Sequence, residues 1–268
     1  MTTASPPDSS PSGVHRQQWA GRSRQAAVPD VRPLVERQRL LRATELPASV
    51  TRAGEVAPRA DTDRAFPAPR ALREVLPGGV FRRGSTVEVL GSTSLLFAVI
   101  AAAAGGKAWS VAVGMNDLGF VAVADFGIAL ERFAVVPDPG PQWLGVVAAL
   151  VDGVDIVAVR PPSPVALADR QRLAARVRQR GTLLLATDPW DGADVTLRVS
   201  GHRWYGLGRG RGRLKSRTVD VSVYGRGALA RTRELTLWLP GPDGEPIAAY
   251  EPVPEIKAED KPARRVVA

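Results

Sequence analysis

Two stretches carry residue types in spacings that could do chemistry. The first is His202-Arg203-Trp204-Tyr205-Gly206-Leu207-Gly208-Arg209-Gly210-Arg211-Gly212-Arg213-Leu214-Lys215-Ser216-Arg217. Six of its residues are basic: Arg203, Arg209, Arg211, Arg213, Lys215 and Arg217. Arginine grips phosphate with a two-pronged donor set, and glycine lets the backbone follow an anionic surface. Trp204 or Tyr205 offers a face on which an unpaired base can stack. The stretch is therefore a candidate nucleic-acid contact. Two structural alternatives stand beside it: a solvated hairpin whose arginines serve solubility, and aromatics that simply pack on a sheet. The second stretch is Gly91-Ser92-Thr93-Ser94, a hydroxyl-rich turn between an apolar strand and an apolar helix. It could receive an anion at the helix N-terminus. The favoured reading is plainer: a hydroxyl cap on that helix.

The rest of the composition removes whole classes of chemistry. The 268 residues include no Cys, which excludes disulfides, thiolate zinc, iron–sulfur clusters and cysteine nucleophiles. The two histidines, His15 and His202, are too few for a multi-histidine metal site. Asp188, Asp191 and Asp194 are grouped, but Pro189 and Gly192 between them point to turn and capping roles rather than metal. No metal and no other cofactor is expected. No apolar run approaches the ~18 residues of a membrane span. The N-terminus has neither a basic segment nor an apolar core like those of secretory signals. A soluble, cytoplasmic protein is the expectation.

The net charge of +9 is unevenly placed. Residues 1–85 carry +6, residues 86–159 carry −5, residues 160–180 carry +5 and residues 200–235 carry +7. The excess of positive charge therefore lies in the N-terminal region, one helix and the Gly/Arg stretch. Arg172, Arg176 and Arg180 recur at helical spacing on one face. That stripe is a solvated face, an extension of the basic patch, or a surface for an acidic partner. Trp143 and Trp190 are expected to pack in the core or at its edge, with partner anchoring as the alternative.

The elements that must position these residues follow from periodicity. Residues 1–68 are expected to be largely disordered, with one helix near 32–44. The folded domain is expected over 69–240, and 241–268 should be a flexible tail. Apolar strands at 85–91, 109–113, 133–136, 155–159 and 182–187 alternate with helices at 95–104, 120–126, 142–151 and 166–180. Gly105 and Gly181 stop two of those helices. Alternation without tight hairpins predicts an α/β fold with a mostly parallel central sheet. Val195–Val199, Thr218–Tyr224 and Glu234–Leu239 alternate apolar and polar residues, and read as antiparallel strands added at one edge.

The segment LPGGVFRRGSTVEVLG, Leu76 to Gly91, resembles the start of the ATPase core of RecA-type recombinases. The resemblance continues through VIAAAAGGKAWSVAV, FGIALERFAVVPDPG, VDIVAV and GTLLLATDP, and implies a RecA-like core. It fails where the chemistry should be. A phosphate loop of that class needs G-x-x-x-x-G-K-[ST], whose Lys neutralises phosphate and whose hydroxyl binds Mg²⁺. Here Gly91-Ser92-Thr93-Ser94-Leu95-Leu96 lacks the second Gly, the Lys and the following hydroxyl. Lys107 lies beyond the helix and is no substitute. Met115 stands where the water-polarising carboxylate would be, and Arg160 where the magnesium-organising Asp would be. The expectation is no catalytic residue, no ATP hydrolysis and no tight nucleotide binding. The loops that grip DNA in recombinases correspond here to a proline-stiffened segment, 161–164, and to a short acidic one, 188–193.

A degenerate RecA-like core followed by HRWYGLGRGRGRLKSR and a late LWLPG is similar to the actinobacterial ImuA-prime family. That resemblance implies a noncatalytic accessory role in DNA-damage-induced, error-prone translesion synthesis. The partner it implies is an ImuB-like, inactive Y-family polymerase homologue. An error-prone C-family polymerase and the sliding clamp would be reached indirectly through that hub. Direct binding of single-stranded DNA, or modulation of RecA filaments, is the alternative. The core's exposed edge, Val80–Arg83 and the C-terminal tail are all candidate partner surfaces.

Overall fold

A computed structural model of the chain describes residues 65–208, 211–241 and 245–249, with the backbone alone for 206–208 and 211–215. The helix expected near 32–44 and most of the two expected tails lie outside the described residues. Strands β1 (Ala65–Pro67) and β2 (Val80–Arg82) pair antiparallel beside the main sheet. Then follow β3 (Thr86–Leu90), α1 (Thr93–Ala104), β4 (Ser110–Val113), α2 (Phe120–Asp125), β5 (Phe133–Val136), α3 (Trp143–Gly153), β6 (Ile156–Val159), α4 (Leu167–Arg180) and β7 (Leu183–Ala186). The chain ends its described part with β8 (Val195–Gly208), β9 (Arg211–Gly225), β10 (Arg233–Trp238) and β11 (Ile247–Ala248).

Among the described residues the main sheet has nine strands, ordered β11-β10-β9-β8-β3-β7-β6-β4-β5. Strands β3 to β8 run parallel. Strands β9, β10 and β11 continue antiparallel on one side. The fold is the expected α/β class, with a mostly parallel centre and antiparallel strands at the C-terminal edge. Three details depart from expectation. Val195–Val199 pairs parallel with β3 and antiparallel only with β9, so it joins the two regimes of the sheet. The described residues include a strand before the expected domain start, β1, which finds a partner in β2. Ile247–Ala248, expected within a flexible tail, pairs with Leu237 and Trp238.

Strands β5, β6 and β7 are apolar at every position, as strands covered on both faces must be. Ala112, Ile156, Ala158, Leu183, Leu185, Val87 and Val89 pack with Leu95, Ile100 and Phe126 in one core. Val111, Val113, Val157, Val159, Leu184 and Ala186 pack with Trp143, Val147, Leu173, Val177 and Trp190 in the other. Helix α1 is buried along most of its length, which fits a sequence apolar on every side. Helix α4 buries only Leu173 and Val177, four residues apart, and turns Arg172, Arg176, Arg178 and Arg180 outward. Gly105 and Gly181 end these helices in the left-handed conformation, with N–H groups bonded back to Ala101 and Val177. Among the described residues no helix is long and apolar enough to cross a membrane.

Candidate functional site

The turn after β3 is short. Gly91 takes φ +80°, and a Cβ there would lie 2.9 Å from the Val199 carbonyl oxygen. Strand β8 therefore passes directly against the turn. Ser92 is the N-cap of α1, and its Oγ accepts the Leu95 N–H at 3.2 Å. Its carbonyl takes the Leu96 N–H. The Ser92 hydroxyl thus does the work of a cap. Thr93 is exposed and Ser94 half-buried beside it. Lys107 lies past the far end of the twelve-residue α1, roughly 18 Å along the helix axis from this turn.

The ends of the neighbouring strands are tied together by other chemistry. Met115, just past β4, is 1% exposed and packs in the core around α1. Arg160, just past β6, donates its backbone N–H to Val113, and its guanidinium meets Asp117 at 2.8 Å. That guanidinium, chiefly through its hydrogen bond, holds the Asp117 carboxyl below its ordinary value. Gly114 takes φ +74°, and a Cβ there would sit 2.3 Å from the Arg160 carbonyl oxygen. The two strand ends approach as closely as a glycine allows.

Glu88, in the middle of β3, is 8% exposed. Its carboxylate accepts the Trp190 backbone N–H and the Thr196 hydroxyl, the latter at 2.6 Å. Asp194 accepts the Thr86 N–H at 2.9 Å, and Asp191 pairs with Arg170 at 2.8 Å. Asp188 takes the Thr187 hydroxyl. The aspartate trio therefore serves the turn between β7 and β8, as its proline and glycine suggested. Among the described residues no group of three or more His, Asp or Glu is placed to hold a metal. Trp143 and Trp190 are both buried in the α3/α4 core.

The arginine stripe of α4 is largely neutralised within the fold. Arg176 and Arg180 both meet Asp152 near the end of α3, Arg180 at 3.0 Å, and Arg172 meets Asp169 at 3.4 Å. Hydrogen bonding from Arg176 is the largest cause holding the Asp152 carboxyl below its ordinary value. These partners lie 24 and 28 positions away, beyond the reach of helical spacing rules.

The Gly/Arg stretch, expected as a hairpin, forms the distal part of two long antiparallel strands. Strand β8 pairs with β3 only over Val195–Arg198, and β9 pairs with β10 only over Thr218–Val223. Residues 204–208 and 211–217 pair with each other beyond the reach of the β10 register, as a ribbon about 17 Å long. Between Tyr205 and Leu207 the partner jumps from Ser216 to Gly212, so β9 bulges at Arg213, Leu214 and Lys215. Arg211, Arg213 and Lys215 are thus placed on β9 by their backbone. Arg209 lies outside the described residues. Arg203 is exposed. The two aromatics diverge. The guanidinium of Arg217 lies 5.0 Å from the Trp204 ring centre, and its Nε donates to the Leu239 carbonyl at 3.1 Å. Burial pulls the pKa of Arg217 below its ordinary value. Tyr205 packs instead on Trp238, ring centres 4.9 Å apart. Trp238 was not singled out from the sequence; its place in an alternating strand gave no sign of a cross-strand ring partner.

The family model described as the MT3502 N-terminal domain matches residues 74–192. The uncharacterized protein Rv3395c of Mycobacterium tuberculosis (strain ATCC 25618 / H37Rv) is 37% identical to this chain over 180 residues. That alignment covers 58% of this chain and 86% of the mycobacterial protein.

Proposed function

The chain belongs to the family of Rv3395c and the MT3502 N-terminal domain, and on that premise we propose a noncatalytic accessory protein of damage-induced translesion synthesis, of the ImuA-prime type. It works in the cytoplasm and joins an ImuB-like, inactive polymerase homologue. Through that hub it is carried to an error-prone C-family polymerase and the sliding clamp. The core acts as a rigid scaffold, not as a nucleotide switch.

One observation carries this reading. The position that the RecA resemblance assigns to a magnesium carboxylate holds an Arg160–Asp117 ion pair. A guanidinium at that point repels a divalent cation and leaves no free acid to organise it. The cap geometry at Ser92 and the close pass of Val199 over Gly91 support it further, since a phosphate cradle needs room and a lysine. Losing the lysine alone removes most of the stabilisation of a transferring phosphoryl group. The test is co-purification of the intact chain with the polymerase homologue, with and without nuclease and without added nucleotide.

A second reading is favoured by the ribbon. It projects beyond the sheet with Arg203 exposed at its root, and between Arg203 and Arg217 it holds six basic and no acidic residues. This reading gives the accessory protein its own contact with single-stranded DNA. Binding that declines with salt and with loss of Arg209, Arg211 and Arg213 supports it.

A further inference from the structure

Strand register on the outer face of β8, β9 and β10 assembles residues far apart in sequence. Arg203 pairs with Thr218, and Thr218 pairs with Trp238, so one row across three strands reads Arg203, Thr218, Trp238. One step further along the ribbon, Tyr205 pairs with Ser216 and leans on Trp238 at an interplanar angle of 50°. Both rings are half-buried, and Arg203 is exposed. Trp204, next in sequence, falls on the opposite face of the strand, with Arg217 over its ring.

We propose that Tyr205 and Trp238, with Arg203 beside them, form a stacking platform for an unpaired base of single-stranded nucleic acid. The proposal rests on the second reading above and says which face of the ribbon binds, and what it binds. Stacking needs a base whose face is free, which a duplex does not offer. The chemistry around the pair suits a sugar–phosphate chain: Arg203 is in the adjacent row, and the basic ribbon continues outward from Tyr205. The sequence alone offered Trp204 and Tyr205 as equivalents. The structure separates them, because Arg217 occupies the Trp204 face and Tyr205 is joined by a ring from β10.

The test uses the intact chain, a short labelled oligothymidylate and a duplex of equal length, followed by fluorescence anisotropy at fixed salt. Tyr205→Ala should weaken single-strand binding by about 5- to 100-fold and leave duplex binding within about twofold. Tyr205→Phe, which keeps the ring, should bind like the parent. Oligothymidylate should quench tryptophan emission in the parent and less in Trp238→Phe, a substitution that preserves the packing if Tyr205→Ala fails to fold. The proposal is overturned if Tyr205→Ala folds and binds oligothymidylate like the parent, or if the quench is unchanged in Trp238→Phe. It is also overturned if the parent binds no oligothymidylate while still co-purifying with the polymerase homologue. That last result leaves the accessory reading standing. Loss of co-purification with the platform intact does the reverse.

Discussion

Removing the Glu88 carboxylate should loosen the junction of β3 with the start of β8 more than any other single polar change in the core. Glu88 holds the Trp190 N–H on one side and the Thr196 hydroxyl on the other, so it joins β3 to the turn after β7 and to β8. Trp190 is 2% exposed and Thr196 5% exposed, so water does not replace either bond without a change of structure. Hydrogen bonds to a charged acceptor contribute about 1.5–3 kcal/mol each, which puts the gross loss in Glu88→Ala near 3–6 kcal/mol. Relief from burying a carboxylate offsets part of that. The expected net destabilisation is about 2–4 kcal/mol. Glu88→Gln should cost only ~1 kcal/mol: its carbonyl still accepts from Trp190, and its amide donates to a Thr196 oxygen whose hydroxyl turns away. Urea unfolding of the three proteins, followed by tryptophan emission, gives the order parent, Gln, Ala. An Ala variant within about 0.5 kcal/mol of the parent, or a Gln variant weaker than Ala, would refute the reasoning.

Three further outcomes follow from the geometry. Gly114→Ala should destabilise by more than ~3 kcal/mol, because a Cβ would collide with the Arg160 carbonyl at positive φ. Gly105→Ala, also at positive φ but with open space around it, should cost only about 1 kcal/mol, and thermal melts compare the two. Asp152 is held by Arg176 and Arg180 with its carboxyl below the ordinary value, so its contribution is present in full above the unfolded value near 3.9. That contribution is lost as pH falls through the folded value. The stability gap between the parent and Asp152→Asn, on the order of 1 kcal/mol, should therefore be constant above about pH 5 and close in more acidic solution. If the ribbon tracks single-stranded DNA, changing Arg209, Arg211 and Arg213 to Ala should flatten the log–log salt slope by about 2. An unchanged slope removes these three from the phosphate contact.

The parallel core was legible because its signals are local. Phe133–Val136 is an uninterrupted apolar run, and Gly105 and Gly181 close helices whose periodic residues stop just before them. The stretch reads as a hairpin, but the length of its strands was not legible, because glycine is a poor strand former and strand propensity misses backbone pairing that two neighbouring arms supply to each other. Strand β1 and strand β11 are three and two residues long, too short for any period to show. The candidate site was half legible. Composition located the basic stretch, but the side-to-side alternation that parts Trp204 from Tyr205 and adds Trp238 needs the register. The neutralised stripe on α4 needed it too, since Asp152 comes from another helix.

Co-purification of the intact chain with the inactive polymerase homologue, after nuclease treatment and with no nucleotide present, tests the central claim most directly. The account predicts a complex that survives both conditions, from a protein with no Mg²⁺-dependent ATP turnover. A complex that dissolves with nuclease, or assembles only with ATP, would contradict it.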